Sequence, residues 1–116
     1  MRARLLADAD LRYDIVRGLR RREPTIDFFP SQRLIPEGAG DPDVLAFAAG
    51  FERVLASHDF RTMPGRFYRF LEFRESPGVI LIPQLMPIGQ AVEELRVLWV
   101  CQEVEEFRNR ITYISR

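Results

Sequence analysis

The chain has 116 residues, of which 47% are hydrophobic, and its 17 basic and 17 acidic residues cancel to a formal net charge of zero. That length suits one domain, spanning 1–116, around a single core, and the apolar content excludes a disordered chain. Zero net charge excludes a strong non-specific nucleic-acid binder, so any RNA or DNA contact has to be local.

Every basic residue is Arg, so each cation is a planar fork suited to phosphate or carboxylate. The lone cysteine, Cys101, rules out an internal disulfide and fits a reducing compartment. The charged start carries no signal-peptide pattern. No apolar stretch nears membrane-spanning length. The expected location is therefore cytoplasmic, with no membrane partner.

Residues 4–7 read as a short buried strand. Residues 10–22 read as a helix, because Leu11, Ile15 and Leu19 share one face and Arg20, Arg21 and Arg22 suit a helix C-terminus. Pro24 closes the turn, and residues 25–29 form a second strand. Residues 30–40 are a loop rich in Pro and Gly. Asp41-Pro42 then opens a helix, with Asp as N-cap and Pro at the first helical position. Val44, Phe47, Ala48 and Phe51 give it an apolar stripe.

Residues 53–57 read as a third strand running into "SHD". "TMPGR" reads as a loop before a helix over residues 66–74, where Phe67, Phe70 and Leu71 make a core stripe. "VILIP", residues 79–83, is a strand so apolar that both faces need covering. Residues 88–101 form an amphipathic helix through Val92, Leu95 and Trp99. An acidic stretch over residues 103–106 follows, and "RITYI" reads either as an edge strand or as a helix end. Strands alternating with helices predict an α/β fold: a mostly parallel sheet of four to five strands with helices on both faces.

In such a sheet, ligands bind beyond the carboxyl ends of the strands, near a reversal of strand order. Asp8 and Asp10 lie just past the first strand, and Asp59 just past the third. Asp41 caps the helix leading into that third strand. Carboxylates converging there suit hard cations such as Mg²⁺ or Mn²⁺, which activate water for in-line attack on phosphorus.

Three blocks, "LADADL" after a strand, "DPDVLAFAA" opening a helix and "RVLASHD" ending a strand, resemble the PIN-like fold. The likeness is nearest to its small DUF5615 group, related to the Mut7-C RNase domain. "SHDFRTMPGRF" and "PGVILIPQ" extend it to about Gln84, and the tail fits less specifically. The resemblance implies a metal-dependent ribonuclease, often the toxin half of a toxin–antitoxin pair. Asp8, Asp41 and Asp59 match the family's acids, while Asp10 stands where the group often has Asn. Many members carry a further acid two residues beyond the third, where this chain has Arg61.

Each residue also has a plainer reading. Asp8 could be a turn residue and Asp10 the N-cap of the first helix, the role slightly favoured for it. Asp41 serves as a cap whatever else it does. Asp14 and Asp43 read as solvated first-turn acids. His58 invites a general-base role beside Asp59, but strand alternation points it the other way, so a hydrogen-bonded structural role is favoured. Cys101 reads as a small buried hydrophobe. Arg61 and Arg66 either hold a phosphate or are solvated. The Arg20 to Arg22 run reads as a solvated helix end rather than an RNA track.

The leading expectation is a nuclease acting on single-stranded RNA, with Mg²⁺ or Mn²⁺ held by Asp8, Asp41 and Asp59, assisted by Asp10. Its partners would be an antitoxin-like protein or a second copy. The rival is a catalytically degenerate module acting through protein contacts at the acidic tail and edge strand. A receiver-like phosphoryl-transfer domain is disfavoured because the chain has no Lys.

Overall fold

Five short strands run parallel in one sheet: β1 (Leu5–Ala7), β2 (Phe28–Pro30), β3 (Val54–Ser57), β4 (Val79–Leu81) and β5 (Ile111–Tyr113). Their order across the sheet is β2-β1-β3-β4-β5. The computed structural model describes residues 1–35 and 43–115. Asp41, the expected opener of the middle helix, lies outside them, as do loop residues 36–40.

Register follows from which side chains need burial. β1 aligns Leu5, Leu6 and Ala7 with Val54, Leu55 and Ala56 of β3, and with Phe28, Phe29 and Pro30 of β2. Successive strand residues point to opposite faces, so each strand feeds two cores. Leu5, Ala7, Val54, Ala56, Ile80 and Ile82 pack on one side against α1 (Tyr13–Arg22) and α4 (Ile88–Cys101). Leu6, Leu55, Val79 and Leu81 pack on the other against α2 (Val44–Gly50) and α3 (Met63–Leu71). This double burial explains the continuous apolar runs of β1, β3 and β4.

Helices α1 and α4 approach closely at Gly18, where an added Cβ would sit 2.8 Å from Val92 Cγ2. Trp99 of α4 donates its indole N–H to Ala3 O at 2.8 Å, fixing α4 beside the entry to β1. Arg53, at the entry to β3, donates to Leu5 O at 3.0 Å and to Asp27 at 2.8 Å, tying β3 to the β1–β2 pair. A short helix, α5 (Val104–Phe107), closed by a Glu103–Glu106 capping box, leads into β5 at the sheet edge. Among the described residues no helix is long and apolar enough to cross a membrane.

Four expectations shift. β2 starts at Phe28, because Ile26 N–H turns back to Glu23 O. Helix α1 begins at Tyr13 with Arg12 as a cap whose side chain makes no capping bond and donates to Met86 O instead, and Asp10 is engaged elsewhere. Helix α3 begins at Met63 and ends at Leu71; Pro64 lies in the first turn, where a missing N–H costs nothing. Cys101 is exposed rather than buried. In addition, Asp43 is the N-cap of α2, accepting from Leu45 N–H at 3.0 Å, and not a solvated first-turn acid.

Candidate functional site

β2 lies on one side of β1 and β3 on the other, so strand order reverses between β1 and β3. A doubly wound sheet places its ligand site at the carboxyl end of that gap. The chain leaves β1 through Asp8, whose N–H still bonds Ala56 O at 2.9 Å and so extends the ladder by one residue. Opposite it, β3 ends at Ser57, which is wholly buried.

Ser57 organises the edge. Its hydroxyl donates to Asp8 Oδ2 at 2.9 Å and lies 3.3 Å from Asp10 Oδ1. A hydroxyl has one proton, so the shorter contact with Asp8 takes it. Asp10 is left with the His58 N–H, 3.3 Å from Oδ1. Asp8 gains one further donor, the Ala9 N–H at 2.8 Å. The two carboxylates thus converge on a single hydroxyl with few donors between them.

The charge balance reflects this. Burial pushes the Asp8 carboxyl above its ordinary value, and the adjacent Asp10 charge adds to the shift. The Ser57 and Ala9 donors and the Arg66 charge act the other way without cancelling it. A half-buried carboxylate beside a second one is a local excess of negative charge.

Asp59 behaves differently. Its N–H donates to Ser57 Oγ at 3.0 Å, which joins its backbone to the same cluster. Its carboxylate accepts from Thr62 N–H at 2.8 Å, from Arg61 N–H at 3.2 Å and from the Thr62 hydroxyl. Burial acts upward on Asp59, but these donors and the Arg66 charge outweigh it and hold the carboxyl below its ordinary value. Asp59 is therefore a braced residue, shaping the turn into α3.

His58 is buried. Its Nδ1 lies 2.8 Å from Ile82 O, and its Nε2 accepts from Arg12 N–H at 3.2 Å. A carbonyl can only accept, so the proton sits on Nδ1. Both ring nitrogens are thereby used in joining β3, β4 and the start of α1. The structural reading of this histidine holds, and its ring has no free nitrogen for proton transfer.

Arg66 on α3 lies 3.9 Å from Asp43 and is the cation whose charge reaches both Asp8 and Asp59. Arg61 is exposed, and among the described residues its guanidinium forms no ion pair. Among the described residues no three His, Cys, Asp or Glu side chains group as a metal cage. Of the expected triad, the structure describes Asp8, which pairs with the assisting Asp10, and Asp59, which joins them through its backbone; Asp41 lies outside the described residues.

That pair fits a hard divalent cation: it is all oxygen, it carries uncompensated negative charge, and one or two carboxylates with water and phosphate complete a usual Mg²⁺ shell. Sequence reading missed Ser57 and Thr62. The available signal was a serine closing an otherwise apolar strand, where a hydroxyl needs a partner.

Compared with protein-family models, curated proteins and solved structures, the chain matches none of them.

Proposed function

We propose that this protein is a Mg²⁺- or Mn²⁺-dependent nuclease that hydrolyses RNA phosphodiester bonds. The observation that carries this reading is the meeting of Asp8 and Asp10 on Ser57 Oγ at the strand-order reversal. The PIN-like resemblance of the surrounding sequence blocks supports the substrate class. A bound divalent ion would lower the pKa of a water and offset charge on the phosphate.

The protein's own contribution is positional. Asp8 and Asp10 would hold the ion, Ser57 would fix Asp8, and Asp59 would keep the turn into α3 in place. Arg66, with Arg61 beyond it, would draw the phosphate to the edge. Asp41 remains a proposed further ligand. The test is cleavage of a labelled single-stranded RNA with Mn²⁺ or Mg²⁺. Wild type should cut, while Asp8→Asn and Asp10→Asn should lose cleavage yet keep the wild-type circular dichroism spectrum. Equal cleavage by all three would overturn the assignment.

A second reading draws on the engagement of Asp59 by Arg61 and Thr62. With that carboxylate spent on a turn, the domain would act by binding a protein, either an antitoxin-like partner or a second copy at the β5 edge. Calorimetric Mn²⁺ titration separates the two: no binding at millimolar metal would favour the interaction module.

A further inference from the structure

Helix α3 carries two stripes. Met63 and Phe67 are fully buried and anchor it to the sheet. A quarter-turn away, Arg66, Arg69, Phe70 and Phe73 recur at i, i+3, i+4 and i+7, a spacing that places them on one face. The helix ends at Leu71, but Phe73 and Arg74 N–H groups both return to Phe70 O, so the turn carries the face onward.

A repeat of that spacing usually faces a core. Here it lines an open groove of about 630 Å³, walled on the far side by Asp43 and Leu45 at the start of α2. Phe73 stands in it 86% exposed. Arg74 lies 5.5 Å from the Phe70 ring centroid, a cation stacked on an aromatic face. Among the described residues lining the groove, three Arg face one Asp, and that Asp already caps α2 and sits 3.9 Å from Arg66.

Phe73 stands exposed beside Phe70 and three guanidinium groups, so the groove presents an aromatic and cationic surface together. Single-stranded nucleic acid supplies the matching chemistry, because unpaired bases offer faces for stacking and phosphates pair with Arg forks. A duplex hides its base faces and does not match a protruding ring. From Arg66 to Leu71 the helix rises about 7.5 Å, roughly two steps of a stacked strand, and the turn carries Phe73 and Arg74 onward.

We infer that the groove between α3 and the start of α2 binds single-stranded nucleic acid, with a base stacked on Phe73 and phosphates held by Arg69 and Arg74. Arg66 links this track to the acid pair, since it lines the groove and its charge acts on Asp8 and Asp59. That the bound strand is also the substrate rests on the nuclease reading; the binding itself does not.

Fluorescence anisotropy with a labelled 12-nucleotide oligo(A), its oligo(U) counterpart and an RNA duplex tests this, in EDTA so that nothing is cut. Wild type should bind both single strands in preference to the duplex. Arg69→Ala/Arg74→Ala should weaken binding at least tenfold and flatten its salt dependence, by about 0.7 in slope per lost phosphate contact. Phe73→Ala should weaken it by roughly 5- to 100-fold, the worth of one stacked base, and Phe73→Trp should restore it. All three substitutions are at exposed positions, and thermal melting confirms that each variant is folded.

Wild-type affinity in both alanine variants would overturn the inference. So would equal binding of duplex and single strand, or no binding of any oligonucleotide, which would leave the groove to an acidic protein segment. Loss of binding in the variants without cleavage by wild type in Mn²⁺ would keep the groove and remove the nuclease. Cleavage that survives in groove variants of unchanged affinity would do the reverse.

Discussion

Asp8 and Ser57 stand opposite one another at the ends of β1 and β3, joined by a 2.9 Å hydrogen bond across 49 positions of sequence. That bond and the Ala9 N–H are the neutral donors set against a carboxylate whose charge is disfavoured by burial and by Asp10. A raised carboxyl pKa means that the folded state holds a proton which the unfolded chain has released, so stability falls as pH rises through that interval. Above it, ionised Asp8 is a standing cost. Asp8→Asn should therefore raise the melting temperature at pH 7 while abolishing Mn²⁺ binding, read by scanning and titration calorimetry on the same sample. A lower melting temperature would show that Asp8 is a structural anchor.

Asp59 should respond with the opposite sign. Its carboxyl is held low by donors from Thr62 and Arg61, so it adds stability above the ordinary carboxylate range and loses it as pH falls through the lowered value. Asp59→Ala should cost about 1 kcal/mol at pH 7, as losing a cap-like acceptor does, with the difference shrinking toward pH 3. Urea denaturation at several pH values measures both.

Removing the Ser57 hydroxyl strips a donor from Asp8 and an acceptor from Asp59 N–H. Ser57→Ala should destabilise by about 1–3 kcal/mol, the range for orphaned buried polar groups, and should weaken Mn²⁺ binding. Chemical denaturation checks the first effect and calorimetry the second.

His58→Gln separates structure from chemistry. The substitution leaves Ile82 O and Arg12 N–H with imperfect partners, at a cost of about 1–3 kcal/mol. Cleavage per folded molecule should persist, because both ring nitrogens are occupied in the wild type. A loss of cleavage at full folding would make the imidazole a participant.

Two glycines should move stability in opposite directions. Gly78 has φ +116° and its Cβ would meet Phe107 O at 2.1 Å. Gly78→Ala should cost several kcal/mol, about 2 or more. Gly65 lies in α3 with open space around it, so Gly65→Ala should gain about 0.5–1 kcal/mol. Thermal melts of the pair decide.

The parallel sheet and its two covered faces were legible because β1, β3 and β4 are unbroken apolar runs, which only double burial permits. Asp8 was legible as the residue leaving the central strand. Asp10 was legible only in part, as an assisting acid and, slightly favoured, as the cap of the first helix; the neighbouring β3 end supplies the His58 N–H that takes it from that cap. Pro64 and Gly65 suggested a loop, yet a proline in the first turn starts α3. Cys101 falls on the outward face of α4, with exposed Glu94 and Val97, while Trp99 on the other face stays in the core. Ser57 and Thr62 act through partners distant in sequence or outside any regular repeat, so periodicity carried no trace of them.

The pairing of β1 with β3 has a kinetic side. Neither carboxylate of the acid pair has its Ser57 or His58 partner until residues 57 and 58 have been brought across nearly half the chain, and non-local parallel contacts form late because loop closure precedes any gain from them. Helical collapse of α1 alone cannot assemble the edge. The edge is thus a reporter of completed folding: a chain that has condensed but not yet registered its central strands leaves Asp8 and Asp10 without the Ser57 and His58 donors that orient them.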